Sequence, residues 1–146
     1  MNNPTKLQPQ ALEGLEKRIG HTFKNKEYAK IPLTHSSFSN EMKAKGQKTP
    51  FNERLEFLGD SVLSIVVSSY IFDKYKNKQE GDLTKSRAAV VCEKALAKYA
   101  NAISLGEYMY LGHGKIMNNG RKRPSIIADA FEAAVNALQA VYAPIR

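Results

Sequence analysis

Apolar residues recur at helical spacing along nearly the whole chain, and no segment sustains the period-two alternation that is typical of a β-strand. Leu12, Leu15 and Ile19 open this pattern. The sequence therefore predicts an all-α fold. Because 146 residues are close to the size of one ordinary domain, we expect a single domain at 9–146 behind a flexible leader at 1–8.

Residues that start and stop helices divide the pattern into segments. Gly20 lies where a helix C-cap is expected, Pro32 ends or kinks the second helix, and Pro124 opens the last helix in its first turn. The predicted helices span residues 12–19, 26–33, 52–74, 84–100 and 124–142. Between them we expect a mobile loop at 39–51, a charged turn at 74–82 and a second loop region at 106–124.

Net charge and cysteine content limit the function classes. Twenty-two Lys and Arg against 14 Asp and Glu leave a net charge of +8, which makes a polyanion the first partner to consider. The single cysteine, Cys92, excludes an intramolecular disulfide and a cysteine zinc site, and we expect it in the core of a cytoplasmic protein. We identify no signal peptide and no stretch of the ~18 apolar residues that a membrane span needs.

The long central helix is predicted to carry acids on one face. At 100° per residue, Glu53, Glu56 and Asp60 fall within about 60° of one another. Phe57 lies beside them, where a surface helix should be polar, so we expect a partner surface to cover it, most simply a second copy of the chain. A solvated acidic face is the alternative. The opposite side of the helix carries Leu55, Leu58, Val62, Ile65 and Val66.

The last helix is apolar on most sides, which predicts that it lies deep in the core. Asp129 and Glu132 nevertheless lie one turn apart in a narrow polar stripe. Two ionised carboxylates in apolar surroundings need a cation or a shared proton. Alternatively, one of them caps a loop, or either pairs with Arg87 or Arg123. The rest of the stripe is Ser125, Asn136 and Gln139.

If the two acidic faces meet, Glu56, Asp60, Asp129 and Glu132 form a cluster of oxygen ligands without histidine or cysteine. Hard oxygen ligands of this kind suit Mg²⁺ or Mn²⁺ rather than zinc. A basic surface that attracts phosphates would then bring a phosphate ester to the metal.

One segment carries a specific resemblance. The run N-E-R-L-E-F-L-G-D at Asn52–Asp60, followed by Ser61, resembles the signature of the ribonuclease III family. The similarity extends over roughly residues 10–140. Three further segments agree with the family in the same order, namely Leu33–Ser37, Glu80–Leu83 and Ser125–Ala133.

The resemblance implies an all-helical endonuclease domain that works as a homodimer with a catalytic valley. Such a domain cleaves double-stranded RNA with Mg²⁺, for which Mn²⁺ can substitute, and leaves a 5′ phosphate and a 3′ hydroxyl. The family assigns metal binding and catalysis to Glu56, Asp60, Asp129 and Glu132. It also places Glu53 in the catalytic valley, Glu80 close to the partner subunit's site, and Phe57 at the dimer contact.

Recognition of double-stranded RNA should depend on A-form shape, phosphates and 2′-hydroxyls, because the deep major groove hides the bases. His35 resembles a general base, but we expect it to form a structural hydrogen bond within the turn at 34–36. A solvated surface is the alternative for every cation that we expect to contact phosphate, namely Lys85, Arg87, Lys115, Arg121, Lys122 and Arg123.

The chain departs from the family pattern in a few places. Bacterial members usually carry a double-stranded-RNA-binding domain after the catalytic one, whereas this sequence stops at Arg146. It is therefore either part of a longer protein or a natural short form, and without that domain we expect weak, salt-dependent binding. Local departures are Asn136 for a glycine, Gln139 for an aromatic residue and Lys115 for a glutamate.

Two other functions are compatible with parts of the pattern. A non-cleaving double-stranded-RNA-binding or ribosome-associated protein on this fold would be expected to lose some of the catalytic carboxylates. All five are present here, namely Glu53, Glu56, Asp60, Asp129 and Glu132. A hydrolase of small phosphate esters explains the acids but neither Phe57 nor the basic excess. The sequence therefore favours the endoribonuclease.

Overall fold

The computed structural model describes residues 8–142, and within them the side chains of residues 8–136. The predicted leader at 1–8 thus lies almost wholly outside the described residues. The described part is all-α as predicted, and its only β-type contact is an isolated parallel bridge between Thr34 and Tyr110. Its helices are α1 Leu12–Ile19, α2 Lys26–Lys30, α3 Ser36–Ala44, α4 Glu53–Lys74, α5 Glu80–Val91, α6 Glu93–Ala102, α7 His113–Met117 and α8 Pro124–Tyr142.

The last helix, α8, lies at the centre of the molecule, as its composition predicts, and packs mainly against α4 and α6. Small residues such as Ala130 and Ala133 are fully buried on it and let the neighbouring helices approach closely. The largest fully buried side chains include Ile127 of α8 itself and Leu96 and Met109 around it. One core therefore joins the two acid-bearing helices.

The predicted mobile loop at 39–51 is wrong over its first part, because α3 continues to Ala44. His35 caps this helix, since its Nδ1 accepts a hydrogen bond from the Ser37 N–H at 3.1 Å. The charged turn at 74–82 is also shorter than predicted. Glu80 and Asp82 belong to the first turn of α5, where carboxylates interact favourably with the helix dipole.

The predicted helix at 84–100 is two helices, separated at Cys92. This residue is extended, with φ −70° and ψ 159°, and the chain changes direction there between α5 and α6. Cys92 is exposed, so the expectation that it lies in the core is wrong. The second loop region is also more ordered than predicted, because it contains α7 and short 3-10 helices at Leu105–Tyr108 and Gly120–Lys122.

The apolar side of α4 is only partly packed within the chain, contrary to the pattern of a core-facing helix. Leu58, Ile65 and Val66 are exposed, Val62 is buried, and Phe57 is 80% exposed as predicted. The exposed side chains among them need a covering surface from outside the chain.

By length and composition alone, α4 is long and apolar enough to cross a membrane. The expectation that no stretch meets this criterion is therefore wrong. Only 17% of its most apolar stretch of 18 residues is buried within the chain. A single helix of this kind is weak evidence for a membrane span.

Candidate metal and nuclease site

Five acids from two helices line one open cavity of about 630 Å³. The structure thus brings together every carboxylate that the family resemblance assigns to the catalytic centre of one chain. Phe57 completes the wall. The acids are Glu53, Glu56 and Asp60 from α4 and Asp129 and Glu132 from α8.

Gly59 sets the distance between the two helices. A Cβ atom built on this residue would lie 1.9 Å from the main-chain oxygen of Glu132, far inside van der Waals contact. No larger residue fits without moving α8. The absence of a side chain here is what lets Glu132 approach Asp60 across the helix pair.

Asn52 fixes the start of α4 and was not recognised as a site residue from the sequence. It is only 3% exposed, its Nδ2 donates to the Pro32 carbonyl at 3.1 Å, and its N–H donates to the Thr34 carbonyl at 2.9 Å. Its own carbonyl accepts from the N–H of Glu56 at 2.8 Å. The first acid-bearing turn is therefore anchored to the segment before α3. An asparagine just before a predicted helix was the available sequence signal.

Glu56 and Asp129 are hydrogen-bonded to each other, and each affects the pKa of the other. Burial, the charge of Asp129 and a hydrogen bond with Asp129 raise the pKa of Glu56 to about 7, and the charges of Glu132 and Glu53 add to this. Burial also raises the pKa of Asp129, but the hydrogen bond with Glu56 lowers it. The hydrogen bond therefore favours the protonated form of Glu56 and the ionised form of Asp129.

Glu132 is perturbed in the same direction. Burial and the charges of Asp60 and Asp129 raise the pKa of Glu132 to about 7. The alternative pairing of Asp129 or Glu132 with Arg87 or Arg123 is not found, because the ion pairs among the described residues are Lys26–Glu16 and Lys30–Glu27. No cation within the described part of the chain compensates these acids.

The donor set fits a divalent cation by its chemistry, since it consists of carboxylate oxygens in a partly buried and uncompensated cluster. The described residues include no group of three or more acidic, histidine or cysteine side chains already arranged to hold a metal ion. Glu56 and Asp129 are instead engaged with each other. Metal binding would therefore require this hydrogen bond to break, both carboxyl groups to be ionised and the side chains to rearrange.

The predicted phosphate contacts differ in their availability. Lys85, Lys122 and Arg123 are exposed, and Lys115 is partly buried. By contrast, Arg121 Nη1 donates to the carbonyls of Gly106 at 2.9 Å and Met109 at 2.6 Å. This guanidinium therefore binds main-chain oxygens of the segment at 106–109 and is a poor phosphate contact.

Arg87 and Glu80 both belong to α5. Arg87 Nη1 donates to Ser68 Oγ at 2.9 Å, which joins α5 to α4. Glu80 is exposed at the start of α5 and does not line the acidic cavity of its own chain. Its predicted role beside a partner subunit stays a prediction.

A larger cavity of about 1040 Å³ adjoins the acidic one and shares Glu53 and Phe57 with it. Asn136 lines this larger cavity and not the acidic one, although it belongs to the same polar stripe as Asp129 and Glu132. The side chain of Gln139 lies outside the described residues. Apolar residues dominate the larger cavity, among them Phe23, Tyr28, Ile31, Phe51 and Leu58.

Comparison with known proteins gives consistent results. A family model described as Ribonuclease-III-like matches residues 25–142. The chain is 50% identical over 124 residues to Ribonuclease 3 of Geobacillus thermodenitrificans, which covers 85% of this chain and 50% of that protein. It is 46% identical over 129 residues to Ribonuclease 3 of Bacillus cytotoxicus, covering 88% of this chain and 52% of the relative. The chain thus spans about half the length of these curated relatives.

Solved structures agree with the sequence relatives. The nuclease domain of ribonuclease III from Campylobacter jejuni superposes with a TM-score of 0.80 at 42% identity, covering 89% of this chain and 85% of the other. That structure is described as flexible in a region involved in dimer formation. A second structure of the same domain gives a TM-score of 0.79 over 90% of this chain and 84% of the other. With its signature helix, its five-acid cavity and these matches, the chain belongs to the ribonuclease III family.

Proposed function

We propose that this chain is an endoribonuclease that cleaves double-stranded RNA with Mg²⁺, in RNA processing or decay. The observation that carries the proposal is the cavity in which five carboxylates meet without a compensating cation. Family membership implies a divalent metal in general, and the all-oxygen donor set favours Mg²⁺, with Mn²⁺ as a substitute. The residues that would hold it are Glu56, Asp60, Asp129 and Glu132.

A divalent cation bound there supplies Lewis-acid chemistry for hydrolysis of a phosphodiester to a 5′ phosphate and a 3′ hydroxyl. The protein's own contribution is to hold the acids in place and to store protons. Glu56, hydrogen-bonded to Asp129, and Glu132 both have pKa values raised to about 7, so a bound cation would displace protons from them near neutral pH. Cation binding and proton release are therefore coupled.

We also propose that the domain acts as a homodimer. The exposed apolar side of α4, with Phe57 80% exposed, supports this because such a surface is unfavourable in water. The apolar cavity of about 1040 Å³ beside Phe57 offers a surface of matching character. A dimer would carry two acidic sites, each completed by a valley wall from the partner, where the family places Glu80.

The partner of the basic surface is proposed to be duplex RNA, recognised through phosphates and shape. The net charge of +8 and the exposed cations Lys85, Lys122 and Arg123 support this. We propose a cytoplasmic location, which a single unpaired cysteine supports.

The test is cleavage of a long perfect RNA duplex with and without Mg²⁺, at two salt concentrations. We expect Mg²⁺-dependent cutting that Glu132→Gln abolishes. Glu13→Gln on α1 is the matched control, because Glu13 is an exposed acid on another helix and should leave cutting unchanged. If the wild-type protein binds the duplex but never cuts it, even with Mn²⁺ at low salt, then its function is to bind double-stranded RNA without cleaving it.

A further inference from the structure

A hydrogen-bond network joins α3 to the start of α7. Ser37 Oγ lies 2.7 Å from Nδ1 of His35 and accepts a hydrogen bond from the N–H of Gly112 at 2.8 Å. One turn further along α3, Glu41 Oε1 accepts from the N–H of His113 at 2.5 Å. Side chains of α3 therefore satisfy two of the main-chain donors at the beginning of α7.

The protonation of His35 follows from these bonds. Its Nδ1 already accepts from the Ser37 N–H, so Nδ1 carries no proton and the Ser37 hydroxyl donates to it. Ser37 Oγ can then accept from Gly112 with its remaining lone pairs. A neutral His35 thus orients the hydroxyl that holds α7.

The main chain makes the same connection rigid. The His35 N–H donates to the Tyr110 carbonyl at 3.0 Å, and the Tyr110 N–H donates to the Leu33 carbonyl at 2.8 Å. At Gly112 a Cβ atom would lie only 2.8 Å from the Ser37 carbonyl oxygen, so the two segments are in direct contact. α7 itself has five residues and no buried one, and its position depends on these contacts.

The charges of two cations and of one acid of the cavity act on His35. Burial and the charges of Lys115 and Arg123 lower its pKa, whereas the charge of Glu53 raises it. Lys115 is on α7, and a Cβ atom on Gly120 would lie 2.6 Å from the Lys115 carbonyl oxygen. The segment that leads to Arg123 therefore packs directly on α7 and would move with it.

We propose that His35 and Ser37 are positioning residues that hold α7, so that Lys115 and Arg123 keep a fixed place relative to α3 and bind phosphates of the RNA strand that enters the acidic cavity. The proposal rests on the function proposed above and names residues that serve that site. Five acids repel an incoming phosphodiester, and cations held on α7 and the segment after it attract other phosphates of the same strand, which offsets part of this repulsion. If α7 were mobile, Lys115 and Arg123 would attract phosphates less effectively, because their charges would not be held in one place.

The test measures KM and kcat separately for duplex cleavage. Ser37→Ala should raise KM about fivefold, the effect of one lost interaction of ordinary strength, with kcat nearly unchanged. Ser37→Thr keeps a hydroxyl and should restore KM. Ser36→Ala, in the same helical turn, is the matched control. If Ser37 acts through α7, the double variant Ser37→Ala, Lys115→Ala should have the KM of Lys115→Ala alone.

Additive effects in the double variant, or a lower kcat at unchanged KM, would overturn the proposal. Should Ser37→Ala melt at a much lower temperature than wild type, Glu41→Ala replaces it. Glu41 is exposed, and its loss removes the other side-chain hydrogen bond to α7. Glu41→Ala should likewise raise KM without lowering kcat.

Duplex binding separates this proposal from the proposed function. If wild type binds RNA but does not cut it, the proposed endonuclease function is wrong. The positioning role of His35 and Ser37 can still be tested through the affinity of the variants for duplex RNA. Lys115→Ala should lower the slope of log affinity against log salt by about 1, and Ser37→Ala should lower it too. An unchanged slope in both variants would show that α7 does not contact phosphate.

Discussion

At the scale of single residues, Glu56 and Glu132 couple stability to pH. Both have a pKa of about 7 in the folded chain against an ordinary 4.5. Between these values the folded state binds more protons than the unfolded chain, so the free energy of unfolding falls as pH rises from about 5 to about 7. Without a divalent cation we expect a loss of about 1–2 kcal/mol over this range, after allowance for solvent screening.

Thermal unfolding followed from pH 5 to 8 measures this effect. Added Mg²⁺ should restore the melting temperature most strongly at the alkaline end, because metal binding requires ionised carboxylates. Glu132→Gln should flatten the pH dependence, whereas Glu13→Gln should not. A melting temperature that rises from pH 5 to 7 in the absence of metal would contradict the assignment of raised pKa values.

The same residues illustrate how far sequence reasoning extends. The acids and Phe57 could be placed because helical spacing alone puts them on one face, and the family signature names their roles. Asn52 and Gly59 could not be placed in this way. Their roles depend on what α8 and the segment at 31–34 bring to them, which is tertiary information.

At the scale of helices, the approach of α4 to α8 controls the site. Gly59→Ala introduces a Cβ atom against the Glu132 carbonyl and must push the helices apart, at a cost of about 1–3 kcal/mol in stability. We expect lower kcat as well, since Glu132 moves away from Asp60. Gly81→Ala on α5 is the control, because nothing lies within 4 Å of its Cβ position and alanine favours the helix. Melting temperatures and kcat values of the two variants test this prediction.

The helices themselves were predictable where a long apolar pattern exists, as in α4 and α8. The prediction missed α3 because its sequence is polar, and the helix is stabilised by the His35 cap and by contacts with Gly112 and His113. It also missed the break at Cys92, since the helical pattern continues through that residue. Both features depend on packing between segments distant in sequence.

At the scale of the whole molecule, the exposed side of α4 predicts self-association. We expect wild type to sediment as a dimer and Phe57→Asp to sediment as a monomer, because a buried charge would replace the most exposed aromatic side chain. Met117→Ala removes an exposed apolar residue on α7 and should leave the dimer intact. A wild-type chain that remains monomeric at micromolar concentration would contradict the proposed assembly.

The net charge of +8 predicts that duplex binding depends strongly on salt. Measured with the cleavage-deficient Glu132→Gln variant, affinity should fall about tenfold or more between about 50 and about 200 mM salt. Lys122→Ala should weaken binding to all duplex sequences about equally. Salt-independent binding would show that phosphate contacts do not dominate.

The two walls of the acidic cavity lie far apart along the chain, one on α4 and the other on α8. During translation, the nascent polypeptide displays Glu56 and Asp60 long before Asp129 and Glu132 have been added. The cavity therefore forms only after α8 has been synthesised. A nascent chain that has not yet reached α8 lies beside the folded RNA of the ribosome without a complete acidic site.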